Sequence, residues 1–385
     1  MKFLHLSEVL KILDGALKSN ASMSTNYASL LADKLEQGGE REAAMRIRER
    51  LARAPSAIAH AQDASRGTFG LPVDSESRLE TVDESLATRG SVRLHLPSAV
   101  ASRIDDFLET VRHYDQLHAA KAASPLRLLM FGSPGTGKTQ TAKWISSELQ
   151  LPLLTVRCDT LISSLLGQTS KNLRRVFDHV EQRPCILFLD EFDALGGARG
   201  SERDIGELQR VVIALLQNID ALSSNVIVIA ASNHEKLLDP AIWRRFPFQI
   251  SMPLPDQELR DEMWTEFLGN FVPIDLDWNS LIDKSGGASG ALIEQVVFDA
   301  KRKAVLSANP CVDKGELFKR LGLALALAQG RSMVSTGDEI RWLRVWDSKV
   351  FSIRELARLY NISTRQIMHV IKGVHGNETK YSRAR

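Results

Sequence analysis

Cysteine is scarce in this sequence, and its three copies show no C-x-x-C spacing. Cys158, Cys185 and Cys311 are scattered along the chain, and two of them lie in apolar runs that are typical of strands. This usage excludes a disulfide framework and favours a reduced protein with buried thiols. We therefore expect a cytoplasmic protein.

Long apolar runs are also missing. None approaches the roughly 20 residues that a membrane-spanning helix needs, so we expect no membrane span. The segment Met1–Glu8 is amphipathic and interrupted by charge, and it lacks the apolar core of a signal peptide.

The chain as a whole carries little net charge. At +2 over 385 residues it indicates no general nucleic-acid or membrane surface. The charge is unevenly distributed, however, because residues 341–385 contain ten Lys or Arg against three Asp or Glu. This local net charge of +7 is the feature that would suit a nucleic-acid partner.

One glycine-rich stretch dominates the chemistry. Gly132–Thr139 fits G-x-x-x-x-G-K-[ST], the loop whose backbone N–H groups surround the phosphates of a nucleotide. An apolar run precedes it and a helical pattern follows, so a helix N-terminus favours the bound anion. Lys138 is predicted to reach the β- and γ-phosphates, and Thr139 to ligate Mg²⁺. The predicted ATP-binding residues of this stretch are Ser133, Pro134, Gly135, Thr136, Gly137, Lys138, Thr139 and Gln140.

A second group of candidate functional residues lies at the end of a predicted buried strand. The run that begins at Cys185 is apolar up to Leu189 and then carries two carboxylates, Asp190 and Glu191. Strand ends at the carboxyl edge of a parallel sheet are where α/β proteins bind ligands. Asp190 suits a Mg²⁺ partner, and Glu191 suits the base that polarises an attacking water.

Short apolar strands alternate with helical patterns in the middle of the chain, which predicts an α/β fold with a parallel sheet covered on both faces. The strands are expected at residues 126–131, 151–157, 185–189, 226–231 and 248–252. Five segments are predicted: an N-terminal helical bundle at 1–53, a linker at 54–94, the P-loop domain at 95–256, a helical lid at 257–332 and a basic helical module at 333–385.

These motifs together resemble an AAA+ ATPase, and most closely the classical AAA group near the spastin–katanin branch. The likeness covers about residues 95–305, and five motifs occur in the family's order. They are Walker A at Gly132–Thr139, Walker B at Ile186–Glu191, the sensor-1 asparagine at Asn233, the second region of homology at Leu238–Phe246, and S-G-A at Ser289–Ala291.

The resemblance implies a P-loop AAA+ parallel-sheet domain with a helical lid, and a role for several residues. Asn233 would position the attacking water, and Gly290 and Ala291 would lie near the adenine. Arg244 and Arg245 would be arginine fingers that act on a neighbour's nucleotide, which implies a homo-oligomeric ring, expected to be a hexamer. The implied cofactors are ATP and Mg²⁺.

The central pore loop departs from the family pattern. That loop normally carries an aromatic–hydrophobic–glycine triplet, whereas this sequence has Leu165, Leu166 and Gly167. Leucine can intercalate between substrate side chains but lacks the flat surface of an aromatic ring. Threading of a polypeptide is therefore left open.

The C-terminal stretch Ser352–Ile371 resembles a helix-turn-helix. Its second helix would be the recognition helix. The candidate DNA-contact residues are Ser363, Thr364, Arg365, Gln366 and His369. A helical docking or oligomerisation cap with a solvated basic face accounts for the pattern equally well.

The function predicted from the sequence is an ATP-driven ring motor that remodels or delivers a protein substrate or partner. Bacterial proteins that look like this one imply a subtilisin-like protease as such a partner. Two alternatives are a DNA-associated ATP switch that binds through residues 341–385, and an adaptor that recruits partners through its N-terminal helices. The N-terminal helices fit a plain oligomerisation element equally well.

Overall fold

The computed structural model describes residues 5–17, 20–52, 82–158, 169–195 and 202–372. Its contacts divide the described residues into two compact units. The first takes in those up to Leu94, from Ser98 to Ser133 and from Gly137 to Met252. The second takes in His95–Pro97, Pro134–Thr136 and the residues from Pro253 onward.

The first unit contains a six-stranded sheet in the order β1-β3-β4-β5-β2-β6. All pairs are parallel except β1 with β3. The predicted α/β parallel-sheet fold is thereby confirmed, and β1, which falls inside the predicted linker, was missed. The strands are β1 Asp83–Ser85, β2 Arg127–Phe131, β3 Leu153–Arg157, β4 Ile186–Asp190, β5 Ile227–Ser232 and β6 Phe248–Ser251.

The apolar runs of the sequence become the centre of this sheet. β4 and β5 bury nearly every residue, and so does β2, as expected for parallel strands covered on both faces. Their side chains share one core with residues of the crossover helices, including Val176 and Leu215. These helices are α6 Lys138–Leu149, α7 Thr169–Gln182, α8 Glu202–Ala221 and the short α9 Pro240–Trp243.

Helices precede strand β2 in the chain, as the apolar spacing predicted. The Asn20 side chain accepts a hydrogen bond from the Met23 amide and so caps the second of them. Gly39, at a φ of 88°, lies in the turn between the second and third helices. The helices are α1 Leu6–Leu17, α2 Ala21–Gln37, α3 Arg41–Ala52, α4 Ser98–Arg112 and α5 Tyr114–Ala119.

The second unit is helical. Asp or Ser side chains cap several of its helices: Asp256, Ser289, Asp313 and Ser352 each accept a hydrogen bond from a first-turn amide. The helices are α10 Gln257–Leu268, α11 Trp278–Lys284, α12 Gly290–Leu306, α13 Lys314–Ala328, α14 Thr336–Trp346, α15 Ile353–Tyr360 and α16 Thr364–Lys372.

One apolar core runs through all of this second unit. Leu343, Leu356 and Ile367 from the last three helices are buried in the same cluster as Trp264 and Phe318. The structure therefore shows no division between the predicted lid and the predicted C-terminal module. The five-part segmentation itself stays a prediction.

Across the described ranges, no helix is both long enough and apolar enough to cross a membrane.

Candidate nucleotide-binding site

The glycine-rich loop leaves β2 after Phe131 and enters α6 at Lys138. Gly132 has a φ of 150°, and a Cβ there would lie 2.2 Å from the Met252 carbonyl oxygen. Gly137 caps α6 at a φ of 94°. Both positions demand glycine, since a side chain would clash at the first and be strained at the second. The loop thus presents its backbone directly at a helix N-terminus.

Lys138 is held inside this loop. Its side chain is 6% exposed, and its ammonium donates to the carbonyl oxygens of Gly132 (2.7 Å) and Ser133 (2.9 Å). Burial lowers the pKa of Lys138, while Asp190 and Asp193 oppose that shift. The lysine is therefore already oriented along the loop by its own backbone.

Thr139 and Asp190 meet where β4 ends. The Thr139 hydroxyl donates to Asp190 Oδ2 at 3.1 Å. An adjacent hydroxyl and carboxylate form a set of hard oxygen donors of the kind that Mg²⁺ prefers. These two residues, far apart in sequence, fit the predicted metal site.

Glu191 has an unusual backbone. It follows β4 at a φ of 53°, in the left-handed region, and its amide donates to Asp190 Oδ1 at 2.9 Å. Its carboxylate lies 3.8 Å from the Arg157 guanidinium, at the end of β3. The buried Phe192 beside it anchors the chain. A non-glycine residue held in this region marks a strained position, and such strain is common at functional sites.

The strain at Glu191 gives a stability prediction. Both Glu191→Gly and Glu191→Ala remove the side chain, but only glycine adopts the left-handed conformation without cost. We expect the free energy of unfolding of the glycine variant to be about 1 kcal/mol higher than that of the alanine variant. Chemical denaturation followed by circular dichroism measures the difference. Equal stability of the two variants would show that the backbone at this position is unstrained.

Asn233 lies at the end of the neighbouring strand β5. Its backbone amide donates to Asp193 Oδ1 at 2.8 Å, so the segment after β4 fixes the segment after β5. Parallel strands β4 and β5 end at the same edge of the sheet. The predicted sensor residue Asn233, the predicted metal ligand Asp190 and the predicted base Glu191 are thereby brought to one edge.

The second unit contains other predicted ATP-binding residues. Gly290 begins α12, and Ser289 caps that helix by accepting a hydrogen bond from the Leu292 amide at 3.3 Å. The Ala291 amide donates to the Gly135 carbonyl oxygen at 3.2 Å. The structure thus places Ala291 against the tip of the glycine-rich loop.

The structure distinguishes between the two arginines of the predicted finger pair. Arg245 forms a fork with the Asp220 carboxylate, with its Nε 2.9 and 3.0 Å from the two oxygens and its Nη2 2.8 Å from Oδ2. Its Nη1 also donates to the Ala241 carbonyl at 2.9 Å. Arg244 is exposed. Arg245 is therefore committed to its own chain, and Arg244 presents its guanidinium to solvent.

The candidate DNA-contact residues all lie on the exposed side of α16 or just before it. Two of them have a structural role at the start of α16. Ser363 and Gln366 form a reciprocal cap of this helix, with hydrogen bonds of 2.8, 2.9 and 3.2 Å. Thr364, Arg365 and His369 are exposed.

Part of the basic charge near these residues serves the fold. Arg344 donates to the Ser348 and Phe351 carbonyls, and Arg358 pairs with Asp313 and Glu355. Arg341 donates to the Val370 carbonyl. These three arginines are therefore engaged by groups of their own chain.

The predicted pore-loop residues Leu165, Leu166 and Gly167 lie outside the described residues. Three contributors to the site were missed: Arg157, Asp193 and Asp220. Asp193 carried a usable signal, because it extends the acidic run after β4. For the other two no local signal exists, since their partners are distant in sequence.

Comparison with known proteins gives the family. The model of the ATPase family associated with various cellular activities (AAA) matches residues 128–254. An AAA family ATPase of Sinorhizobium fredii is 31% identical over 296 residues, which cover 76% of this chain and 88% of that protein. A cell division cycle protein 48 homolog of Archaeoglobus fulgidus is 35% identical over 201 residues, 51% of this chain and 27% of that protein.

A third relative is the ATP-dependent zinc metalloprotease FtsH of Thermobaculum terrenum. It is 29% identical over 295 residues, which cover 74% of this chain and 45% of that protein. The chain therefore spans most of the first relative but less than half of the other two. The matched region contains the glycine-rich loop, the β4 carboxylates, Asn233 and the arginine pair, and the chain belongs to the AAA family of ATPases.

Proposed function

We propose that this ATPase assembles into a homo-oligomeric ring, a hexamer, and uses ATP hydrolysis to remodel or deliver a protein substrate or partner. In each subunit the glycine-rich loop and Lys138 bind the phosphates. Glu191 activates the attacking water, which Asn233 positions. Gly290 and Ala291 contact the nucleotide near its adenine.

The observation that carries this proposal is the Thr139–Asp190 contact of 3.1 Å beside Glu191. It joins the end of the phosphate loop to the end of β4, which Glu191 follows, and Asn233 follows the neighbouring strand β5. Thr139 and Asp190 would hold Mg²⁺, which supplies charge neutralisation on the phosphates when bound. Lys138 adds a positive charge to the same phosphates, and Glu191 accepts the proton of water.

The ring is supported by the arginine pair. Arg–phosphate contacts are strong and directional, and an arginine supplied by a neighbour accelerates phosphoryl transfer about 10³- to 10⁵-fold in other systems. Arg244 is exposed and suited to reach another subunit. We assign to Arg245 the role of fixing the segment that presents Arg244, through Asp220.

A protein substrate is supported by the name of one relative, which is an ATP-dependent metalloprotease. The narrower form of the proposal, a subtilisin-like protease as partner, and the placement near the spastin–katanin branch rest on the sequence resemblance alone.

Phosphate release tests the proposal. With Mg²⁺ and ATP, the wild-type rate should rise on addition of an unfolded protein such as reduced, carboxymethylated α-lactalbumin, and stay unchanged with duplex DNA. Lys138→Ala serves as the control for contaminating ATPases, because it removes the phosphate-binding ammonium. A rate that rises with DNA and ignores unfolded protein would overturn the motor in favour of the DNA switch.

The DNA-associated switch is a second candidate, favoured by one observation. Arg365, His369 and Lys372 are all exposed along α16, in a unit whose last helices form two short segments joined at Asn361, which has a left-handed φ of 53°. Such a turn between short helices occurs in DNA-binding modules. The engaged arginines nearby make this candidate the weaker one.

The DNA candidate makes a salt-dependent prediction. If α16 contacts phosphates, Arg365→Ala should weaken binding to a random-sequence duplex and reduce the slope of log affinity against log salt by about 1. The matched control is Arg302→Ala, which removes another exposed arginine of the same unit. Fluorescence anisotropy at several salt concentrations measures both. Equal effects of the two substitutions would remove α16 as a DNA contact.

A further inference from the structure

α1 carries its charged side inward and its apolar side outward. The helix buries Glu8, Lys11 and Gly15. All of its large apolar side chains except the half-buried Ile12 are exposed instead, and a surface helix of a globular protein normally shows the opposite arrangement. The exposed fractions are 38% for Leu6, 39% for Val9, 50% for Leu10, 51% for Leu13 and 76% for Leu17.

Polar contacts fix the helix in this orientation. The Lys11 ammonium pairs with the Glu181 carboxylate and donates to the Ser223 hydroxyl at 2.9 Å. Glu8 pairs with Lys34 of α2. A rotation that buried the apolar side would break both ion pairs and leave charges without partners, which is costly in a buried setting.

Gly15 reinforces the orientation. A Cβ at this position would lie 2.5 Å from Ser24 Oγ and 2.7 Å from the Ser24 amide nitrogen. No larger residue of α1 could therefore take its place against α2. Gly15 therefore keeps this side of α1 against α2 and the apolar side away from it.

The spacing of the exposed leucines specifies what fits this surface. Leu6, Leu10, Leu13 and Leu17 are separated by four, three and four residues, the alternation of a and d positions in a coiled coil. This seam, defined by these four leucines, is complementary to another helix with the same spacing. We propose that the leucine seam pairs with the seam of a second copy of this chain, antiparallel about a two-fold axis.

An antiparallel pair makes the seam complementary to itself. Leu6 of one copy then lies opposite Leu17 of the other, and Leu10 opposite Leu13, as a two-fold axis requires. Asp14, the exposed charge on this helix, lies beside Ser7 of the second copy and away from the other Asp14. No like charges are brought together by the pairing.

The positive charge of α1 also argues against a membrane as the partner of this surface. Helices that lie on membranes carry Lys or Arg along the border of their apolar face, whereas the one lysine of α1 is buried in an ion pair.

The seam is about 18 Å long, from 12 residues at about 1.5 Å each. One helix of this length offers a small contact surface, whereas a permanent interface buries about 1,200 Å² or more. We therefore expect a reversible dimer whose population depends on protein concentration.

Sedimentation velocity of the full chain without nucleotide tests the pairing. Wild-type protein should show a reversible rise in mass with concentration. Leu10→Glu combined with Leu13→Glu should raise the dissociation constant at least about 100-fold, because each copy loses two buried leucines. The matched control is Leu306→Glu combined with Leu327→Glu, which changes two exposed leucines elsewhere. Association that is absent in the wild type, or equally affected in both variants, would overturn the proposal.

Cross-linking tests the direction of the pair. In a Leu10→Cys/Leu13→Cys variant, oxidation should join position 10 of one copy to position 13 of the other, as mapped by mass spectrometry of peptides. Links from 10 to 10 and from 13 to 13 would overturn the antiparallel arrangement. The native thiols Cys158 and Cys185 are buried and Cys311 is half-buried, and the unsubstituted protein gives the background of links through them.

Discussion

Glu191→Gln should bind ATP normally and hydrolyse it about 10²- to 10⁴-fold more slowly than the wild type, the usual contribution of a general base. Glutamine keeps the size and hydrogen-bonding reach of glutamate but cannot accept the proton of the attacking water. Thr139, Asp190 and Lys138 remain in place, so nucleotide affinity is retained. Steady-state phosphate release gives the rate, and titration with a fluorescent ATP analogue gives the affinity.

Two controls make this result specific. Lys138→Ala should lose affinity itself, because the loop ammonium that meets the phosphates is gone. Arg157→Ala removes the charge beside Glu191 while leaving the carboxylate, and some hydrolysis should therefore persist. A Glu191→Gln protein that releases phosphate near the wild-type rate would exclude Glu191 as the base.

Mixed rings should restore activity to two inactive proteins. Arg244→Ala should bind ATP yet lose about 10³-fold in hydrolysis, equivalent to about 4 kcal/mol of transition-state stabilisation. Lys138→Ala cannot bind ATP but retains its Arg244. In a mixed ring, the arginine of the lysine variant can complete the pocket of the arginine variant, so part of the turnover should return.

The second arginine provides the control for this experiment. Arg245→Ala should lower the free energy of unfolding by about 1 kcal/mol, because a partly exposed fork to Asp220 is lost. Arg244→Ala should leave stability unchanged, since that side chain is exposed. If native mass spectrometry detects mixed rings that are as inactive as their components, Arg244 does not act in trans.

Much of the fold was predictable because its determinants are local. The apolar runs placed β2 to β6 to within about two residues, since parallel strands covered on both faces are apolar throughout. β1 was missed because Asp83–Ser85 is polar and exposed. Only its pairing with β3 makes it a strand.

The last helices show that a predicted element can still lack a predicted packing partner. Their periodicity identified α15 and α16, but the buried Leu356 and Ile367 gave no sign of which core would receive them. That core proved to be shared with Trp264 and Phe318. Helical spacing indicates that a face is apolar, and only packing identifies its partner.

The sequence by itself determined the nucleotide chemistry, because phosphate binding depends on glycines, a lysine and strand-end carboxylates at fixed spacing along the chain. Tertiary structure decided which of two adjacent arginines is available, through Asp220, and which side of α1 faces solvent, through Glu181, Ser223 and Lys34. It also brought Arg157 to Glu191 and Asp193 to Asn233. These outcomes depend on contacts between distant segments, whose free energies no local pattern encodes.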